Sequence, residues 1–133
     1  MKKNGILNSE ISKVLADMGH TDQLTIGDCG LPIPEETKKI DLALKLGTPN
    51  FIDVFNCIVE DMKIEKIILA EEIKELNTEL YQQLIDNAEK EDWDVEFVSH
   101  QQFKEKTRNS KVIIRTGECT PFANIILQSD VIF

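Results

Sequence analysis

The chain holds only two histidines, His20 and His100, and three scattered cysteines, Cys29, Cys57 and Cys119. Imidazole titrates nearest neutrality of all side chains, so two histidines in different surroundings can act as acid and base without a cofactor. Asp28, followed by Cys29-Gly30-Leu31-Pro32-Ile33-Pro34, can bind hydroxyls or simply stabilise a turn. Phe122-Ala123-Asn124 adds an aromatic face and a carboxamide. Cys119 could serve as a nucleophile beside a histidine, although a small buried thiol is the commoner role. His20, Asp28, Cys29 and His100 are metal-ligand types without a recognised ligand spacing, so no metal site is expected. Walker A, dinucleotide and G-x-S-x-G motifs are absent. Glu71 and Glu72 are adjacent and point apart on strand or helix, a poor fit to glycosidase chemistry. What remains is a cofactor-free acid-base site.

The elements that would position these groups follow from periodicity. Asn8 or Ser9 caps a helix carrying Ile11, Val14, Leu15 and Met18, and Gly19 stands where a left-handed terminating residue is expected. His20 would then follow a helix C-terminus, which favours imidazolium. Leu24 to Gly27 reads as a strand that delivers Asp28 at its carboxyl end, where ligands gather in α/β sheets. An extended segment spans Ile40 to Leu44, and Thr48 with Pro49 predicts the start of a helix bearing Phe51, Val54, Phe55, Ile58, Val59 and Met62. Ile67 to Ala70 reads as a strand buried on both faces, followed by a helix through Leu80, Leu84, Ile85 and Ala88.

Val95 to Val98 predicts a further strand, and Ser99 with Gln102 has capping-box spacing, making His100 the first helical residue. A helix N-terminus disfavours imidazolium, so the two histidines should have pKa values pushed apart, with His20 the donor and His100 the neutral acceptor or hydrogen-bond partner. The plain alternative is that His20 caps its helix and His100 is an ordinary surface residue. Strands at Val112 to Arg115 and Ile125 to Leu127 flank a polar, turn-rich loop, Thr116 to Asn124. The alternation implies βαβ units in one three-layer α/β/α domain over residues 1–133, with a mainly parallel or mixed central sheet.

Composition narrows the partners. The formal charge of −9 argues against phosphate backbones and anionic lipid, so neither nucleic acid nor membrane is expected. No apolar stretch is long enough to span a bilayer. Asn4, Asn8 and Ser9 interrupt any apolar run after Lys2-Lys3, and three unpaired cysteines suit a reduced, cytoplasmic setting.

Four segments, Gly5 to Ser9, Met18 to Asp22, Asp28 to Pro34 and Arg115 to Asn124, closely resemble the D-ribose pyranase family of the ribose/fucose mutarotase superfamily. Ile40 to Leu44, Ala70 to Lys74 and Ser99 to Lys104 extend the likeness along the whole chain. The resemblance implies interconversion of pyranose and furanose forms of D-ribose, with His20 as proton donor. It further implies sugar contacts from Asp28, His100, Phe122, Ala123 and Asn124; beside these, Asp28 is expected either to orient His20 or to bind hydroxyls, and Lys104 to be an accessory. Phe122 departs from the family's Tyr-Ala-Asn triplet; it lacks the hydroxyl and keeps the aromatic face. Ring opening and reclosure move only protons and carbon–oxygen bonds, so neither metal nor redox cofactor is required. The family forms pentameric rings stacked as decamers, each site completed by a neighbouring subunit, which would give Val131-Ile132-Phe133 a surface to pack on. An L-fucose-type mutarotase and a non-catalytic sugar-binding module remain the alternatives.

Overall fold

In the computed structural model, which describes residues 1–133, apolar runs become six strands and amphipathic stretches become five helices. The order is α1 (Ser9–Asp17), β1 (Gln23–Gly27), β2 (Lys39–Asp41), α2 (Phe51–Val59), β3 (Ile64–Ala70), α3 (Ile73–Leu76), α4 (Thr78–Glu91), β4 (Asp94–Val98), α5 (His100–Lys106), a 3-10 turn (Thr107–Asn109), β5 (Ser110–Arg115) and β6 (Ile125–Ser129). The strands form one mixed sheet in the order β2-β5-β1-β6-β3-β4. β1 and β2 run parallel to β5, and β3 parallel to β4. Only β6 is antiparallel to its neighbours, β1 and β3.

Period-two alternation explains the layering, because successive strand side chains face opposite sides of the sheet. Leu24, Ile26, Ile67, Leu69, Val112, Ile114, Ile125 and Leu127 join the larger core with α1, α2 and α4. Ile68, Ala70, Ile113 and Ile126 face the other way, against Phe103 of α5 and Leu31. Both faces are thus covered, which makes the α/β/α arrangement expected, and the central strands carry few polar interruptions for that reason. No helix is long and apolar enough to cross a membrane.

Two local expectations fail. α1 ends at Asp17 with Met18 extended, and the left-handed residue is Thr21 (φ 69°) rather than Gly19. The chain turns there because Thr21 N–H donates to Ser129 O (3.0 Å) and Ser129 N–H to Asp22 O (2.8 Å), tying the segment to β6. α2 begins at Phe51 with Asn50, not Thr48, as its cap: Asn50 Oδ1 accepts from Asp53 N–H at 2.8 Å. Thr48 is committed to a turn with Lys45 and Leu44 instead. Elsewhere Asn8 caps α1 and the Ser99–Gln102 capping box is complete. The acidic stretch Glu89 to Asp92 is an exposed helix end, as its charge density suggests.

Candidate functional site

β1 separates the two groups of chemistry-bearing residues. His20 precedes it and Asp28 follows it, so its five residues, at about 3.3 Å each, place roughly 17 Å of strand between them. β6 runs the opposite way, which puts its first neighbours, Phe122 to Asn124, beside Asp28 and its last, Asp130, beside His20.

At the Asp28 end the groups converge. Asn124 is almost fully buried; its Oδ1 accepts from Asp28 N–H (2.9 Å) while its Nδ2 donates to Asp28 Oδ2 (3.0 Å). Gly30 N–H donates to Asp28 Oδ1 at 2.9 Å, so the carboxylate is fixed by two donors. Gly27 lets the carboxamide approach, since a Cβ there would lie 3.2 Å from Asn124 Oδ1 and 2.6 Å from Leu31 Cδ2. Phe122 adopts a left-handed backbone (φ 55°), rare for a bulky residue, and its ring packs T-shaped with that of His100, centroids 4.9 Å apart and planes at 88°. Ala123 is fully buried in the larger core. Burial, then the charge of Lys104, depresses the His100 pKa, against the opposing pull of Glu72 and Asp28, which favours the neutral imidazole. Its Nδ1 is buried without a protein partner.

Long-range contacts invisible in the sequence hold this end together. Glu72 accepts from His100 N–H (2.9 and 3.2 Å), capping α5 from another element. Arg115 donates to Cys29 O (3.1 Å) and to Asp41 Oδ2 (3.1 Å), tying the Asp28 loop to β2. Glu118 accepts from Phe51 N–H (3.0 Å), Cys119 N–H (3.1 Å) and Thr120 N–H (3.2 Å). Burial would raise its pKa, but these donors outweigh that and keep it lowered. Gly117 is required sterically, because a Cβ there would sit 2.3 Å from Thr48 O. The one available sequence signal was the density of Thr, Gly and Glu in a loop too polar to be core.

At the other end His20 is half exposed, and its Nε2 lies 2.9 Å from Glu65 Oε2 and 3.8 Å from Asp130 Oδ1. The bond to Glu65 raises its pKa; desolvation opposes this, and the charges of Glu65 and Asp130 add to the rise. A C-terminal helix dipole is therefore not what favours the imidazolium, since α1 has already ended; two carboxylates do that work. The three donor atoms lie within 4.8 Å of one another, but the direct imidazole–carboxylate bond already accounts for their closeness. Asp28 does not orient His20 within one chain. The terminal residues do not fold into the core either: Ile132 and Phe133 are exposed and line the cleft beside His20.

Comparison with known proteins gives this geometry a family. The D-ribose pyranase of Bacillus cytotoxicus is 54% identical over 133 residues, covering all of both chains. That of Bacillus cereus is 54% identical over 137 residues, again covering both completely. The structure of Bacillus subtilis RbsD complexed with D-ribose superposes with a TM-score of 0.95 at 49% identity, covering all of both chains. The FucU of Bifidobacterium longum shares the fold at a TM-score of 0.79 and 24% identity, with 96% of each chain covered. Residues 1–132 match the family described as the RbsD / FucU transport protein family, and the chain belongs to it.

Proposed function

We propose that residues 1–133 act as one D-ribose pyranase domain, an isomerase that exchanges the pyranose and furanose rings of D-ribose. The carrying observation is the full-length likeness to RbsD bound to D-ribose, at 49% identity. His20, favoured as imidazolium, protonates the ring oxygen as its bond to the anomeric carbon breaks. A base takes the anomeric hydroxyl proton, a role suited to neutral His100, and the aldehyde results. Reclosure through another hydroxyl reverses the proton movements. Asp28 and Asn124 bind sugar hydroxyls, Phe122 packs against sugar C–H groups, and Lys104 is an accessory. No cofactor or metal has a role in these steps.

A site containing both His20 and Asp28 requires two copies, because the two residues occupy opposite ends of one sheet. Contact between unlike ends is heterologous, the interface type that builds a ring when its rotation closes. Apolar flanks support this: Leu44 and Leu46 are exposed in the loop that bonds to Gly117, while Ile132 and Phe133 are exposed beside His20. Pentameric rings stacked as decamers are the assembly the family resemblance implies. Three free cysteines suit a cytoplasmic location.

Saturation-transfer NMR on equilibrated D-ribose and L-fucose tests the function. Faster exchange between ribose pyranose and furanose signals is expected. Acceleration confined to fucose anomers would assign a mutarotase instead, and binding without acceleration would leave a sugar-binding module.

A further inference from the structure

Glu65, at the start of β3, has no counterpart among the sugar-binding groups, yet both of its carboxylate oxygens are engaged. Oε2 meets His20 Nε2 at 2.9 Å, and Oε1 accepts from Gln128 Nε2 at 2.7 Å. Gln128 Oε1 in turn accepts from Gln23 Nε2 at 2.9 Å. The chain of bonds crosses three adjacent strands, β1, β6 and β3: Gln23 pairs with Gln128 in regular register, and Glu65 sits at the irregularity between Ile64 and Lys66 where β3 shifts register against β6.

The geometry points to Glu65 as the positioning residue for His20: it commits imidazole Nε2 to the protein and leaves Nδ1 as the atom that exchanges a proton with the sugar. This rests on the reading of His20 as the acid. A carboxylate only accepts hydrogen bonds, so Nε2 carries its hydrogen in both protonation states of the ring. The neutral ring is then the Nε2–H tautomer with a lone pair on Nδ1, and the acid form bears the transferable proton on Nδ1. In ring opening that proton passes to the ring oxygen, which keeps the electron pair of the broken carbon–oxygen bond. The anomeric O–H proton goes to the base as the carbonyl forms. His20 is left neutral with Nε2–H still on Glu65, ready to take back a proton at Nδ1 on reclosure.

Asp130 is the weaker candidate for this role. It lies at 3.8 Å, and its Oδ1 already accepts from Val131 N–H at 2.8 Å. The other charged residues lining this cleft are Asp61 and Lys63, from the turn before β3; α1 contributes only Leu15 and Ala16, with Met18 just beyond it. Glu65 is thus the one side chain that both touches the ring and is itself anchored.

Glu65→Gln tests the assignment in the assembled protein. The amide would donate to Nε2, so neutral His20 should switch from the Nε2–H to the Nδ1–H tautomer, read directly by long-range ¹H–¹⁵N NMR. Exchange of ribose rings should lose about 10- to 100-fold in kcat, with KM within about threefold, because orientation and proton affinity change while the sugar contacts do not. The alkaline limb of the pH profile should move to lower pH, and Glu65→Asp, which restores the charge, should recover part of that shift. An unchanged tautomer and pH profile would overturn the proposal. Should Glu65→Gln not fold, Glu65→Ala removes the acceptor altogether; a mixed tautomer population with lowered kcat supports the proposal, and wild-type tautomer and kcat refute it. His20→Ala measured in parallel separates the two readings. If it is fully active, the acid assignment fails; if it is inactive while Glu65→Gln behaves as wild type, only the positioning role fails.

Discussion

Two inactive variants of this protein should restore each other. His20→Ala removes the acid from one end of the sheet, and Asp28→Ala removes the carboxylate from the other, where it accepts from Asn124 Nδ2 and Gly30 N–H. Neither residue can reach the other's end within a chain, given the five-residue strand between them. In a 1:1 co-assembled mixture, half of all copies supply an intact His20 and half of their neighbours an intact Asp28. About one quarter of the interfaces then hold a complete site if contacts are head-to-tail, so about one quarter of wild-type exchange should return. Co-expression with two different affinity tags, sequential purification and ribose exchange NMR provide the assay. Mixed assemblies that form but show no recovery would refute the split site.

Asn124→Ala leaves the part-buried Asp28 N–H without its acceptor and the carboxylate with Gly30 N–H alone, a loss of about 1–3 kcal/mol measurable by urea unfolding, accompanied by weaker ribose binding. Gly117→Ala forces a Cβ against Thr48 O and should cost about 3 kcal/mol, lowering Tm and displacing the loop that carries Phe122. Phe122→Tyr should leave exchange within about threefold of wild type, whereas Phe122→Ala, which removes the ring packed against His100, should raise KM about tenfold. The pH dependence has a definite sign. The folded His20 pKa is raised above 6.5, so its contribution to stability is complete below that pH and fades as pH rises through the elevated value. Exchange should decline over the same interval, as an NMR rate profile from pH 5 to 9 would record.

The sheet and most helices were legible because both depend on local pattern. The unbroken apolar run Ile67 to Ala70 marked a strand buried on both faces, and the Ser99–Gln102 spacing placed His100 at a helix start. The failures have local causes too: Asn50 outcompeted Thr48 because Thr48 was needed in a turn, and Gly19 lost its expected role to Thr21 because β6 pins that segment. Strand order, by contrast, is a long-range property, and so are Glu65, Glu72, Arg115 and Glu118, whose partners lie 28 to 86 residues away in sequence. The separation of His20 from Asp28 was readable in principle, since one precedes a strand and the other follows it. Its consequence required knowing that β1 is central and buried, with β6 antiparallel beside it. The pKa difference between the histidines survives with its causes replaced: Glu65 for His20, and burial with Lys104 for His100.

Ribose ring exchange in the wild-type protein, compared with His20→Ala at equal concentration, tests the account most directly. Saturation of a pyranose signal should transfer rapidly to the furanose signals with the wild type and fall to the uncatalysed rate with His20→Ala, while both bind ribose. Equal transfer with the two proteins, or none above buffer with the wild type, would contradict it.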